Sequence, residues 1–148
     1  MPVVPDHVRE IYQLGQTLGN DPRAFSILGD CQSLPETFLG VYETDPEKAS
    51  QLPLELQELV TQFDGSFNRE SPTVKLGTTA GAIIWEEWHE NLYGCKSNET
   101  PLDCELRIHK PAFVIINLRK DQPEYSGNFG SKHRPLGNQG VARGSEAY

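Results

Sequence analysis

A chain of 148 residues is the size of one domain with a real core, and 36% hydrophobic residues with a mean hydropathy of -0.52 make a polar but foldable composition. No apolar run approaches the roughly 18 residues of a transmembrane helix, and Met1-Pro2-Val3-Val4-Pro5-Asp6 lacks the basic stretch and apolar run of a signal peptide. A net charge of -8 argues against a phosphate-binding footprint for nucleic acid and against attraction to an anionic membrane.

Three cysteines without a Cys-x-x-Cys pair fit neither a disulfide-dense scaffold nor a structural zinc site, and no cofactor is expected. The charge is unevenly spread. Residues 1–118 carry 8 basic and 18 acidic side chains, whereas residues 119–148 carry 5 basic and 3 acidic ones with five glycines.

In chain order, Pro5-Asp6 starts a helix whose stripe is Val8, Ile11, Tyr12, Leu14 and Leu18. Gly19-Asn20 stops it, and Asp21-Pro22 reads as a turn. Ala24 to Leu28 reads as a short buried strand ending on Gly29-Asp30. Leu52 to Phe63 reads as an amphipathic helix, and Thr73 to Leu76 as a segment ending on Gly77. Thr78 or Thr79 is expected to cap a helix running through Trp88, and residues 91–111 read as a polar loop. The run Ala112 to Leu118 suits a central parallel strand buried on both faces. This rhythm predicts an α/β domain over 1–118. From 119 to 148 no periodicity continues, and that stretch is expected to be disordered, or the product of a frameshift that truncates the domain.

The chemistry-bearing segment is Gly29-Asp30-Cys31-Gln32-Ser33, an apolar strand running into a tight corner. Such a corner exposes a side chain at the carboxyl edge of a sheet, where ligands of α/β folds bind. Here the chain resembles the SGNH (GDSL-type) hydrolase family, whose first block is Gly-Asp-Ser. It is most similar to a bacterial branch with Gly-Asp-Cys-Gln, preceded by a turn like Asn20-Asp21-Pro22. Gly77-Thr78-Thr79-Ala80 resembles the second block, and the strand at 112–118 the one before the third, so the resemblance covers roughly residues 6 to 118.

The resemblance implies a flavodoxin-like three-layer α/β/α sandwich and an esterase acting on an acylated carbohydrate or small ester. It places Cys31 at the nucleophile position, Gly77 as an oxyanion N–H donor and Asp30 as the organiser of the corner. The resemblance, with the possible disulfide, suggests a place outside the cell or in its envelope, and the missing leader argues against export. The departures are a thiol in place of a hydroxyl, Leu118-Arg119-Lys120-Asp121 in place of Gly-x-Asn-Asp, and no Asp-x-x-His; His133 follows Gly130 at that spacing. Little or no hydrolase activity is therefore expected of this chain. The rival readings are a non-catalytic glycan- or ester-binding module on the same fold, and a thiol enzyme with another base.

Other features have bland readings beside functional ones. Ser33 is expected to cap a turn rather than to act as a displaced nucleophile. Cys95 and Cys104, eight residues apart around a Pro-containing turn, are a disulfide candidate that requires an oxidising compartment. Trp85, Trp88 and Tyr93 could line a sugar groove, but the spacing of the tryptophans favours core packing. Glu43, Asp45 and Glu47 read as a solvated acidic surface, and Asn98-Glu99-Thr100 as a formal glycosylation sequon.

Overall fold

The computed structural model describes residues 3–89 and 92–118. The segment 119–148, with His133 and Lys120-Asp121, lies outside the described residues.

Helix α1 (Asp6–Thr17) ends as expected: Gly19 takes φ +88°, and the N–H groups of Gly19 and Asn20 return to the carbonyls of Gln16 and Gly15. That is a Schellman closure, which satisfies carbonyls left without helical partners. Strand β1 (Asp21–Gly29) begins earlier than anticipated. Asp21 and Pro22 belong to it rather than to a turn, because the Asp21 N–H donates to the Lys110 carbonyl at 2.7 Å.

Three short helices follow: α2 (Val41–Thr44), α3 (Pro46–Ser50) and α4 (Leu54–Gln62). The acidic side chains here are structural rather than merely solvated. Asp45 caps α3 by accepting from Glu47 and Lys48 N–H, and Glu43 accepts from Gly65 and Asn68 N–H at 2.5 and 2.7 Å.

The helix expected through Trp88 is instead two 3₁₀ turns, Ala82–Ile84 and Glu86–His89, broken at Trp85, whose backbone is extended. The expected loop at 91–111 contains helix α5 (Pro101–His109). Thr100 caps it by accepting from Asp103 N–H, Thr100 also donates to the Asp103 carboxylate, and Pro101 occupies its first turn. That start signal is legible once the polarity of the segment is set aside.

Strand β2 (Pro111–Asn117) runs parallel to β1, pairing Phe25 with Phe113 and Gly29 with Asn117. On the other edge of β1, Gly29 forms a parallel bridge with Val74. The spatial order is therefore the 73–75 segment, β1, then β2. The mixed helix and parallel-strand content is of the α/β class, with a small two-stranded sheet among the described residues.

The core is Phe25, Ile27, Phe67 and Val74, with Leu34, Phe38, Leu39, Val60, Phe63 and Ile115 against it. Phe25 meets Phe63 and Phe67 edge to face at 5.7 and 4.9 Å between ring centroids, an arrangement aromatic pairs prefer. This core covers one side of the sheet. Strand β2 is not buried on both faces: Ile116 is 69% exposed, and Phe113 and Val114 are exposed as well. The stripe of α1 has the right period but little cover; Ile11 is 67% exposed, while Tyr12 stacks on Phe113 at 5.5 Å.

The fully buried Glu105 ties α5 to the sheet. It accepts from Ser26 Oγ on β1, from Ser71 Oγ at 2.9 Å and from the Arg69 guanidinium. Thr73 lies within 2.7 Å of the Ser71 hydroxyl and donates to the Ile27 carbonyl at 2.7 Å. Burial pushes the Arg69 guanidinium below its usual pKa. The neighbouring disulfide joins Cys95 to Cys104, with Cα atoms 5.2 Å apart. Arg107 reaches across that loop to the Glu99 carboxylate, which Arg107 and the Lys96 N–H hold well below the usual carboxylate range.

Two expectations follow. Glu105→Ala leaves Arg69 without its carboxylate and the Ser26 and Ser71 hydroxyls without an acceptor. It should lower stability by roughly 3–5 kcal/mol, read from urea unfolding; a loss below about 1 kcal/mol would show that the network holds little. Reduction of Cys95–Cys104 should cost about 2–3 kcal/mol on the loop-closure account, read as a lower unfolding midpoint in the presence of a thiol reductant.

Candidate functional site

The carboxyl ends of β1 and β2 and the turn after Val74 converge on one corner. Beyond Gly29 the chain bends into the 3₁₀ turn Cys31–Ser33, closed by Ser33 N–H donating to the Asp30 carbonyl at 2.7 Å. The bend demands a glycine. A Cβ on Gly29 would lie 2.0 Å from Ser33 Oγ, so only hydrogen at this position leaves room for the serine. The turn Lys75–Thr78 closes through Thr78 N–H to the Lys75 carbonyl at 3.0 Å. Gly77 sits in its third position with φ +82°, where a side chain would strain the backbone.

Asp30 joins the two turns. Its Oδ1 accepts from the Cys31 N–H and from the Gly77 N–H, both at 2.7 Å. The structure thus brings together all three residues singled out in the sequence, Asp30, Cys31 and Gly77. Asp30 organises the corner by hydrogen bonds, and the Gly77 N–H, which the resemblance would offer to an oxyanion, points at this carboxylate together with the Cys31 N–H. One carboxylate oxygen thus takes two backbone donors, one from each turn.

A polar cleft of about 200 Å³ lies beside this corner, lined by Asp30, Gln32, Asn117 and Leu118. It opens between the ends of β1 and β2, on the side away from the 73–75 segment. Asn117, the last residue of β2, donates through Nδ2 to Ser33 Oγ at 2.9 Å. Ser33 is fully buried, so its hydroxyl is a fixed acceptor for Asn117 and is neither a turn cap nor an exposed nucleophile. Asn117 was missed in the sequence because the asparagine was sought after Leu118. The signal was the polar residue closing an apolar run at the end of a strand.

Cys31 is a half-buried free thiol whose carbonyl accepts from Thr37 Oγ1 at 3.0 Å. No histidine among the described side chains serves it. His7 is exposed on α1. His109 Nε2 lies 3.1 Å from the Phe25 carbonyl and 3.4 Å from Ser66 Oγ, four residues back along β1 from Gly29; that is roughly 13 Å of strand. Among the described residues no group of His, Cys, Asp and Glu side chains could hold a metal ion, and no helix is long and apolar enough to cross a membrane.

The tryptophans are not core residues. Trp88 Nε1 donates to Thr78 Oγ1 at 3.2 Å, and the Lys75 ammonium sits 5.1 Å from its ring centroid. Trp85 lies 6.3 Å from Trp88 and remains 42% exposed, and Tyr93 is exposed too. A second, wider depression of about 540 Å³ is lined by Arg23 of β1 and by Leu54, Gln57, Glu58, Thr61 and Gln62 of α4.

No family model, curated protein or solved structure matches the chain.

The geometry of His109 yields a pH expectation. Burial, reinforced by the Arg69 charge, lowers its pKa below the ordinary 6.5, against the opposing pull of the Phe25 carbonyl and Asp21. The folded state therefore holds His109 neutral where the unfolded chain already binds a proton. The stability it contributes is complete above about pH 6.5 and is lost as pH falls through the lowered folded value. The urea midpoint should fall between about pH 7 and pH 5, and His109→Gln, which keeps a donor for Phe25, should flatten that slope.

Proposed function

We propose that this chain carries the ligand-binding corner of an SGNH-type ester hydrolase, binding a small ester or an acylated glycan with little or no turnover. Several features support the family reading. The Gly-Asp-Cys-Gln turn follows β1, a positive-φ glycine meets it from the next segment, and an asparagine closes the next parallel strand. The order of the 73–75 segment, β1 and β2 is that of the first three strands of a flavodoxin-like sheet. In that topology the β1–β2 gap is the switch point where ligands bind, and the polar cleft lies there. A three-layer sandwich is the architecture this order would extend into.

The observation that carries the low-turnover reading is the Asp30 carboxylate. A tetrahedral intermediate needs N–H groups free to donate to its developing negative charge, and Asp30 Oδ1 accepts from both. Attack by Cys31 further needs a base to form and retain the thiolate, and His109 is engaged elsewhere. What the corner retains is a polar cleft whose amides and carboxylate suit hydroxyl and ester groups. This favours binding without hydrolysis over a thiol enzyme.

The test combines turnover with binding. Hydrolysis of p-nitrophenyl acetate should proceed no faster than with Cys31→Ala, while acetylated xylotriose should bind saturably in calorimetry. Asn117→Ala should weaken that binding about tenfold, the scale of one lost hydrogen bond to a polar ligand. Turnover abolished by Cys31→Ala would overturn the low-turnover reading, and flat titrations with wild-type protein would overturn the binding reading.

A further inference from the structure

The disulfide loop is held twice, once by sulfur and once without it. Two tight turns flank Cys95. In the first, Tyr93 and Gly94 both take positive φ, +60° and +76°, and the Cys95 N–H returns to the Leu92 carbonyl at 3.1 Å. In the second, the Glu99 N–H returns to the Lys96 carbonyl at 3.1 Å, and the Glu99 carboxylate accepts from the Lys96 N–H at 2.8 Å. Arg107 grips both turns. Its guanidinium donates to the Gly94 carbonyl at 3.0 Å and to both oxygens of Glu99. Arg107 stands three residues after Cys104 on α5, a spacing that puts the two on one face of the helix. The same strip of α5 therefore holds the loop on either side of Cys95, and none of these bonds involves a sulfur atom.

The two cysteines are unequal. Cys104 is completely buried, whereas Cys95 is half-buried. In thiol–disulfide exchange a thiolate must reach the sulfur it attacks, so an external thiol has its access at Cys95. Its attack joins the external sulfur to Cys95 Sγ and breaks the bond to Cys104. The electron pair goes to Cys104 Sγ, which then takes a proton. Burial disfavours a lone thiolate at Cys104, which favours the return step. In that step Cys104 attacks the adduct, re-forms the disulfide and expels the external thiolate. The Arg107 bonds keep Cys95 beside Cys104 meanwhile, so the return is intramolecular and runs at a high effective concentration.

We propose that Cys95 is a site of reversible S-thiolation by a low-molecular-weight thiol such as glutathione, with Cys104 resolving the adduct and Arg107 holding the pair in register. The assignment is independent of the ester- or glycan-binding reading above. It makes Arg107 a positioning residue for sulfur chemistry that it does not itself touch.

The test follows the adduct in time. Wild-type protein is reduced with dithiothreitol, freed of it and mixed with oxidised glutathione, and peptide mass mapping separates Cys95, Cys104 and Cys31. Glutathione should appear on Cys95 and leave as the disulfide forms. In Arg107→Gln the adduct should last about tenfold longer, the scale of a lost positional constraint. Glu99→Gln, which opens the clasp from its other end, should act alike. Cys104→Ser should keep glutathione on Cys95. Cys95→Ser, equally deprived of the disulfide, should take it at Cys104 about tenfold more slowly or less, as burial requires. Circular dichroism checks that the reduced protein and each variant are folded. Equal labelling of the two cysteines, or an adduct found first on Cys104, would overturn the site. An unchanged adduct lifetime in folded Arg107→Gln and Glu99→Gln would overturn the clasp, and so would loss of structure on reduction of the wild-type protein.

Discussion

The rest of the structure depends on one buried carboxylate. Glu105 sits on α5 with no exposure to water, and such a group is tolerated only when its oxygens are fully engaged. Its partners come from two places: Ser26 on β1, and Ser71 and Arg69 on the long connection between α4 and the 3₁₀ turns. Satisfying them together leaves little freedom for α5 or for that connection. Ser71 in turn neighbours Thr73, whose hydroxyl donates to Ile27 on β1. The register of the 73–75 segment against β1, and hence the position of Gly77 opposite Asp30, follows from this chain of polar contacts.

Around that network the apolar packing is one-sided. A run of rings from Tyr12 through Phe113, Phe63 and Phe25 to Phe67 joins α1, both strands and the loop after α4. It supplies the directional contacts that a small core needs. Beyond it, Ile11 and Leu14 of α1 and Ile116 of β2 remain exposed, so the described sheet has one covered face and much apolar surface outside it. Short-range devices take up part of the load: the Thr100 cap, the Asp45 cap, and the Cys95–Cys104 bridge beside the Arg107–Glu99 pair.

At the corner, the same economy that stabilises the backbone limits chemistry. Two turns whose N–H groups converge on one point need an acceptor there, and Asp30 supplies it. The bond pair locks the two turns together, and under the proposed reading it also fills the position in which an ester hydrolase would develop charge. Stability of the corner and catalysis by it compete for the same two hydrogens. The polar groups beside it, Gln32 and Asn117 with Asp30, line the cleft on which the proposed binding reading rests.

Much of this was legible in the sequence where the signal is local. The Schellman end of α1, the helix at 54–62, the strand leading into Gly29-Asp30 and the pairing of Cys95 with Cys104 each rest on residues close in the chain. Glycine at 29 and at 77 was likewise readable, since close approach or a positive φ excludes other residues. The helix at 101–109 was hidden by its polarity, although Thr100-Pro101 and Asp103 mark its start. The 3₁₀ turns at 82–89 took the place of a helix whose apolar spacing looked regular, because Trp88 is drawn to Thr78 and Lys75 rather than into the core. By itself the sequence determined where the chain turns, at Gly19, at Gly29-Asp30 and at Gly77, since that property belongs to single residues and their immediate neighbours. Only the tertiary structure decided that Asp30 would occupy both N–H groups, that Asn117 would face Ser33 and that Glu105 would be buried, because each of these depends on partners more than forty residues away.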